Sequence, residues 1–198
     1  MLPKEAEDVS FAGVDAEGAE LEGHRFVRCN FRGAVLDGIR TSRCTFDACD
    51  FSNAQLNGSV HQGSDFANSI FENANLFGAS FEECRLLGVD LAGATVTGIA
   101  ISGGDLSYAL VRGHDLARLD LRGVKAHESD FSESSLVDAD LRRAHLTRAT
   151  LTNAVLAGAD LREAILDGVD LKAARIEGAE LDLAGAVQLA RSLGAIVD

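Results

Sequence analysis

Proline is almost missing from this chain: Pro3 is the only one, so no stretch reads as a proline-rich linker. No apolar run approaches the ~20 residues that a membrane-spanning helix needs. The opening residues Met1-Leu2-Pro3-Lys4-Glu5 do not read as a signal peptide. The expectation is one domain, located in the cytoplasm, with no membrane partner. Cysteine is sparse, and no C-x-x-C pair or histidine at ligand spacing accompanies Cys29, Cys44, Cys49 and Cys84. That excludes a zinc site and leaves four buried thiols serving as small core residues. Basic charge is scarce too. With a formal net charge of −13 and no basic stripe, direct binding to nucleic acid is excluded, because phosphates would be repelled. An acidic surface suits a basic partner or plain solubility. No Ser-His-Asp arrangement, glycine-rich phosphate loop or metal-ligand cluster can be assembled. No catalytic residue, cofactor or metal is therefore expected, and no enzyme activity.

What the chain has is a side-chain repeat of five in one register. Of the 35 positions 11, 16, 21 and onward to 181, 31 are Leu, Phe, Ile or Val; the exceptions are Ala16, Thr41, His61 and Ala126. Two places before each of these anchors the residue is usually Ala, Ser, Cys or Gly. A helix would return apolar residues every 3.6 positions and a strand every two. A period of five with one large and one small inward residue requires a corner every five residues, and four such sides make a square coil of twenty. The twenty-residue period is present in Gly18, Gly38, Gly58, Gly78 and Gly98, and again in Gly158 and Gly178. A second corner column runs Gly13, Gly33, Asn53, Asn73, Gly93 and Gly113. Glycine and asparagine suit corners that need positive φ. Phe11, Phe31, Phe51 and Phe71 share one inward column, and Phe26, Phe46 and Phe66 another. About nine coils spaced ~4.8 Å would make a rod roughly 40 Å long.

Phrases such as Ala159-Asp160-Leu161-Arg162-Glu163 and Ala139-Asp140-Leu141-Arg142-Arg143 resemble the A-(D/N)-L-x-x signature of pentapeptide-repeat proteins. The likeness covers roughly residues 10–182. It implies an all-β fold, a right-handed quadrilateral β-helix. The expected organisation is a loosely ordered N-terminus (1–10), the β-helix (11–182), and a C-terminal capping or dimerisation helix with its tail (183–198). Asp182 reads as the helix N-cap, Leu183, Ala186, Val187, Ala190 and Leu193 fall on one face, and Gly194 ends the helix. This helix would cover its own last coil or pack against the same helix of a second chain. Further apolar residues at Leu189, Ile196 and Val197 favour a two-fold dimer.

Columns can also be read on the outer surface. Asp120, Asp140, Asp160 and Glu180 stack four acids on consecutive coils, with Arg122, Arg142 and Arg162 alongside. They form either a salt-bridge ladder or an acidic track for a basic partner. A second acidic column alternates through Asp50, Asp90, Asp130 and Asp170, and Asp138, Asp167 and Glu177 add to the C-terminal half. Outward apolar residues are Ile70, Phe77, Leu87, Tyr108, Leu110 and Val137; Phe77, Leu87 and Tyr108 are candidates for an apolar contact. His61 stands above Thr41 in an anchor column and is expected to bond to it. His24 and His114 occupy small positions, and Gly103-Gly104 marks an expected irregularity.

Two segments carry a closer resemblance, the run from Asp105 to Leu116 and the tail from Leu181 to Gly194. Both are similar to the MfpA/Qnr fluoroquinolone-resistance group. The repeat here lacks the interrupting loops of Qnr, which places the likeness nearer MfpA. The resemblance implies an acidic homodimer that imitates duplex DNA and binds DNA gyrase, a type II topoisomerase. It would inhibit gyrase, protect it from fluoroquinolones or other gyrase poisons, or do both. The implied acidic track is Asp120, Asp130, Asp138, Asp140, Asp160, Asp167, Asp170 and Glu180. The implied dimer contact, through the C-terminal coil and helix, is Leu181, Leu183, Ala186, Val187, Leu189, Ala190 and Leu193. A gyrase mimic should carry its acids on the dimer-facing half. The alternative is a structural or scaffolding pentapeptide-repeat protein unrelated to topoisomerases.

Overall fold

Almost every fifth backbone position turns a corner at positive φ, and many of these turns hand their amide to the coil that follows. The computed structural model describes residues 2–197. Gly33 N–H donates to the Ser52 carbonyl at 2.9 Å, Asn53 to Glu72 at 2.9 Å, and Glu133 to Thr152 at 2.9 Å. Corners thus satisfy backbone groups that would otherwise be stranded at a bend. Glycine and asparagine do not monopolise them: Ala48, Arg118, Glu133 and Asp138 also lie at φ between 51° and 63°. The hydrogen bond to the next coil holds these residues in a region that costs an L-residue only about 1 kcal/mol.

The chain falls into two compact units, Met1–Asp105 and Leu106–Asp198. In the first, eight short strands form two parallel sheets. One has the order β1 (Glu5–Glu7), β3 (Arg25–Val27), β5 (Thr45–Asp47). The other runs β2 (Glu20–Glu22), β4 (Arg40–Ser42), β6 (Val60–Gln62), β7 (Ser80–Glu82), β8 (Ala100–Ser102). Partners are twenty residues apart throughout, as in Phe26↔Phe46 and His61↔Phe81. The expected nine coils are corrected by the sheets: coils built with regular strand number about five, the length of the longer sheet. Past β8 the twenty-residue register is carried by isolated bridges such as Leu110↔Asp130 and Asp160↔Glu180. The N-terminus is corrected as well. Residues 1–10 were expected to be loosely ordered, yet Glu5–Glu7 pairs in parallel with Arg25–Val27 and Leu2 is buried.

Phenylalanines fill the core of the first unit. Phe31, Phe51 and Phe71 stack at 5.0 and 4.9 Å, nearly parallel, and Phe26, Phe46 and Phe66 at 5.2 and 4.9 Å. The two columns meet edge-on, Phe46 against Phe51 at 5.6 Å, the arrangement that aromatic quadrupoles favour. Small inward residues carry the polar work. Ser69 Oγ donates to the Phe46 carbonyl at 2.7 Å, and Cys49 Sγ lies 3.6 Å from the Phe26 carbonyl. All four cysteines are free and buried, and burial pushes the Cys49 thiol up to about 12.

Gly103 and Gly104 take positive φ in succession, +65° and +78°, at the end of the first unit. Leucines dominate the core of the second, with Leu121, Leu136, Leu141 and Leu161 buried. Bridges such as Asp120↔Asp140 and Ser135↔Val155 keep the register. A 3-10 turn at Leu171–Ala173 replaces a regular corner, and the helix α1 spans Leu183–Ser192. Asp182 caps it, accepting from Gly185 N–H at 2.9 Å, and its second oxygen accepts from Glu163 N–H at 2.9 Å. One carboxylate thereby ties the helix start to the preceding coil.

Candidate partner-binding surfaces

The stacked acids of the second unit are built from the turn upward. In each repeat an aspartate Oδ1 accepts the backbone N–H two residues on: Arg122 to Asp120 at 3.2 Å, Arg142 to Asp140 at 3.2 Å, Arg162 to Asp160 at 3.1 Å. This side-chain turn explains why aspartate recurs at that position. The same arginine then closes a fork on the same carboxylate. Arg142 Nε and Nη2 reach Asp140 at 2.9 and 2.6 Å, and Arg122 reaches Asp120 at 2.8 and 2.6 Å. Rungs between coils follow: Arg122–Asp140 at 3.6 Å, Arg142–Asp160 at 3.4 Å and Arg162–Glu180 at 3.1 Å. The arginine hydrogen bonds hold the Asp120, Asp140 and Asp160 carboxyls below the usual carboxylate range, against an opposing pull from burial. Such bidentate pairs fix geometry strongly. The salt-bridge ladder is present, and its acids are charged but engaged.

The remaining acids of the expected track stand apart from it. Asp130 is bridged by Leu110 and Thr150, and its Oδ1 accepts from Ser132 N–H at 2.8 Å. Asp170 caps the 3-10 turn, accepting from Lys172 N–H at 3.1 Å. Asp138 occupies a positive-φ corner, and Asp167 lines a surface groove beside Ile165, Val187 and Arg191. The unit of Met1–Asp105 contains 16 acidic and 7 basic residues (net −9), and that of Leu106–Asp198 has 15 and 11 (net −4). The surplus of acid is N-terminal, contrary to the expectation for the helix-bearing half.

Helix α1 presents two different faces. Gln188 Nε2 donates to the Val169 carbonyl at 2.8 Å, and Leu171 N–H donates to Ser192 Oγ at 3.3 Å. Gly185 is buried, with Leu181 Cδ2 only 2.9 Å from where a Cβ would sit. These residues dock the helix on its own coil through polar contacts that apolar periodicity could not reveal. The apolar face points away from them: Leu183 is 82% and Leu193 64% exposed, and Ala186 is exposed. Val187, Leu189, Ala190 and Leu181 are intermediate. Of the other apolar candidates, Phe77 and Tyr108 are exposed and Leu87 is half-buried; Phe77 lies in the first unit and Tyr108 in the second.

Twenty-residue coils closed by αL corners, with large and small inward columns, define a parallel β-helix of five-residue repeats. The model of pentapeptide repeats matches at residues 7–46, 25–60, 49–86, 62–98, 102–143 and 134–172. The chain belongs to the pentapeptide-repeat family. Among solved structures it is similar to trypsin-treated QnrB1, a plasmid-mediated fluoroquinolone resistance protein, with a TM-score of 0.69 and 24% identity over 98% of this chain and 97% of that one. It is also similar to HetL of the cyanobacterium Nostoc sp. strain PCC 7120, a pentapeptide repeat protein involved in heterocyst differentiation regulation. There the TM-score is 0.55, with 24% identity over 89% and 88% of the chains. Full-length QnrB1 gives a TM-score of 0.53 at 22% identity, over 96% and 100%. These likenesses establish the fold. Comparison with curated proteins by sequence gives no match. Among the described residues no helix is long and apolar enough to cross a membrane.

Proposed function

We propose that this chain is a non-enzymatic binding protein that docks on DNA gyrase in the cytoplasm as an acidic homodimer and imitates duplex DNA. It thereby inhibits gyrase, protects it from fluoroquinolones or other gyrase poisons, or both. The observation that carries the reading is the fold likeness to QnrB1 along nearly the full length of both chains, joined to a net charge of −13. The sequence resemblance to the MfpA/Qnr group supplies gyrase as the partner. The unpartnered apolar face of α1 supports self-association through the C-terminal coil and helix.

Purified protein added to a gyrase supercoiling assay, with and without a fluoroquinolone, tests this directly. Inhibited supercoiling or reduced drug-stabilised cleavage is expected; no change in either sinks the proposal. Reversing Asp140 and Asp160 to lysine is expected to weaken gyrase binding at least about tenfold, by replacing attraction with repulsion at the partner surface. Circular dichroism should be unchanged, and full binding by a folded variant would reduce the ladder to a structural role. Leu183→Glu is expected to convert the dimer to monomer in sedimentation velocity; a dimer that survives it places the contact elsewhere.

A second reading has one observation in its favour. Each aspartate of the ladder, Asp120, Asp140 and Asp160, serves its own turn and its own arginine, which is what a scaffold unrelated to topoisomerases would need. The likeness to HetL shows that the fold is not tied to drug resistance.

A further inference from the structure

The aromatic core of Met1–Asp105 encloses one ionisable ring. His61 is the middle residue of β6, 1% exposed, and parallel pairing puts Thr41 and Phe81 on either side of it. Its ring stacks on Phe81 at 4.7 Å and meets Phe66 edge-on at 4.9 Å. Both nitrogens face hydroxyls: Nδ1 lies 2.8 Å from Thr41 Oγ1 and Nε2 lies 3.0 Å from Ser59 Oγ. Thr41 Oγ1 lies 3.0 Å from Ser64 Oγ, which donates to the Gln62 carbonyl at 3.2 Å. Hydroxyls can serve a neutral imidazole, which has one donor and one acceptor, but they bring no negative charge.

The titratable groups packed nearby are thiols. Cys84 lies with Sγ 3.4 Å from the His61 carbonyl, and Cys44 donates its N–H to Ser64 Oγ. The charged residues on the paired strands, Arg40 of β4 and Glu82 of β7, are exposed positions flanking the inward ones. Among the described residues no carboxylate bonds to the ring, so an imidazolium there would be unpaired and desolvated. A phenylalanine would continue the column.

We propose that His61 makes the unit of Met1–Asp105 acid-sensitive, so that it loosens between pH 7 and pH 5 while Leu106–Asp198 holds. Burial pushes the ring down from its ordinary value near 6.5 to about 3. The unfolded chain then binds one more proton than the folded chain throughout that interval. Stability conferred by the neutral ring is whole above about 6.5 and is lost as pH falls below it. Asp8 and Asp50, held low in the same unit, lose their contributions only as pH falls through the ordinary aspartate range near 3.8, outside this window. The second unit has no histidine enclosed to the same degree: His114 is 8% exposed, and His127 and His145 are intermediate.

Amide hydrogen exchange on the full chain, corrected for intrinsic rates, tests the proposal. Protection in β4, β6 and β7 is expected to fall about 25-fold from pH 7 to pH 5, the one-proton linkage for a group of reference value near 6.5. The amides of Asp140 and Asp160 should keep theirs. His61→Phe is expected to abolish the loss in the first unit. An equal loss in that variant, or in both units of the wild type, overturns the assignment. The wild-type ring offers a readout that needs no variant: its side-chain resonances should remain those of neutral imidazole at pH 5. A midpoint near 6.5 in the folded protein also overturns it.

Discussion

Phe51→Ala is expected to destabilise the first unit by about 3–5 kcal/mol, the range for emptying a buried aromatic site. Phe51 is 1% exposed and sits between Phe31 and Phe71 in its own column while meeting Phe46 edge-on. Collapse into the vacated space is blocked. Each ring is attached to a coil whose amides are committed to the next, as Phe51 N–H is to the Ile70 carbonyl at 2.7 Å. A coil cannot shift inward without breaking that bond, so most of the cavity must persist. Urea unfolding followed by a probe in Met1–Asp105 measures the change. A loss under about 1 kcal/mol would mean that the column closes up and is not a rigid stack.

Gly104→Ala is expected to cost several times as much as Gly98→Ala, although both glycines lie at similar positive φ, +78° and +71°. At Gly98 an added Cβ would find the Gly78 backbone at 3.7 Å, an ordinary contact, leaving only the αL penalty of about 1 kcal/mol. At Gly104 the same atom would sit 2.2 Å from the Cys84 carbonyl oxygen and 3.0 Å from the Cys84 nitrogen. These are backbone atoms of the preceding coil and cannot swing aside. The two variants carry the same chemistry, so the difference between their midpoints in thermal or urea unfolding isolates the clash. Equal midpoints would show that the chain around Gly103-Gly104 relaxes freely.

The inward half of this protein was legible from residue type alone. A corner every five residues forces one large and one small side chain inside, and Phe46, Leu56 and Ser69 are buried where the register puts them. The Thr41–His61 bond followed from the same column reading, because two polar anchors twenty residues apart must face each other. Boundaries were less legible. Glu5–Glu7 has no large anchor, and its order comes from hydrogen bonds to Arg25–Val27 that side-chain pattern does not encode. The surface was the hardest to read. Asp140 and Arg142 were both visible, but whether the carboxylate faces a partner or closes on its own arginine depends on rotamers, which spacing does not specify. The helix shows the same limit. Its apolar stripe was plain, whereas the side that docks does so through Gln188 and Ser192.

Parallel pairing at a separation of twenty, from Glu5↔Arg25 to Asp160↔Glu180, also governs how such a gene can grow. Duplicating twenty codons would add a complete storey and leave every vertical alignment above and below it intact. Losing a single codon would rotate everything downstream by part of a side, bringing charged residues to the inside and greasy ones to the outside. Only changes of length by whole storeys would leave the columns of this chain in line.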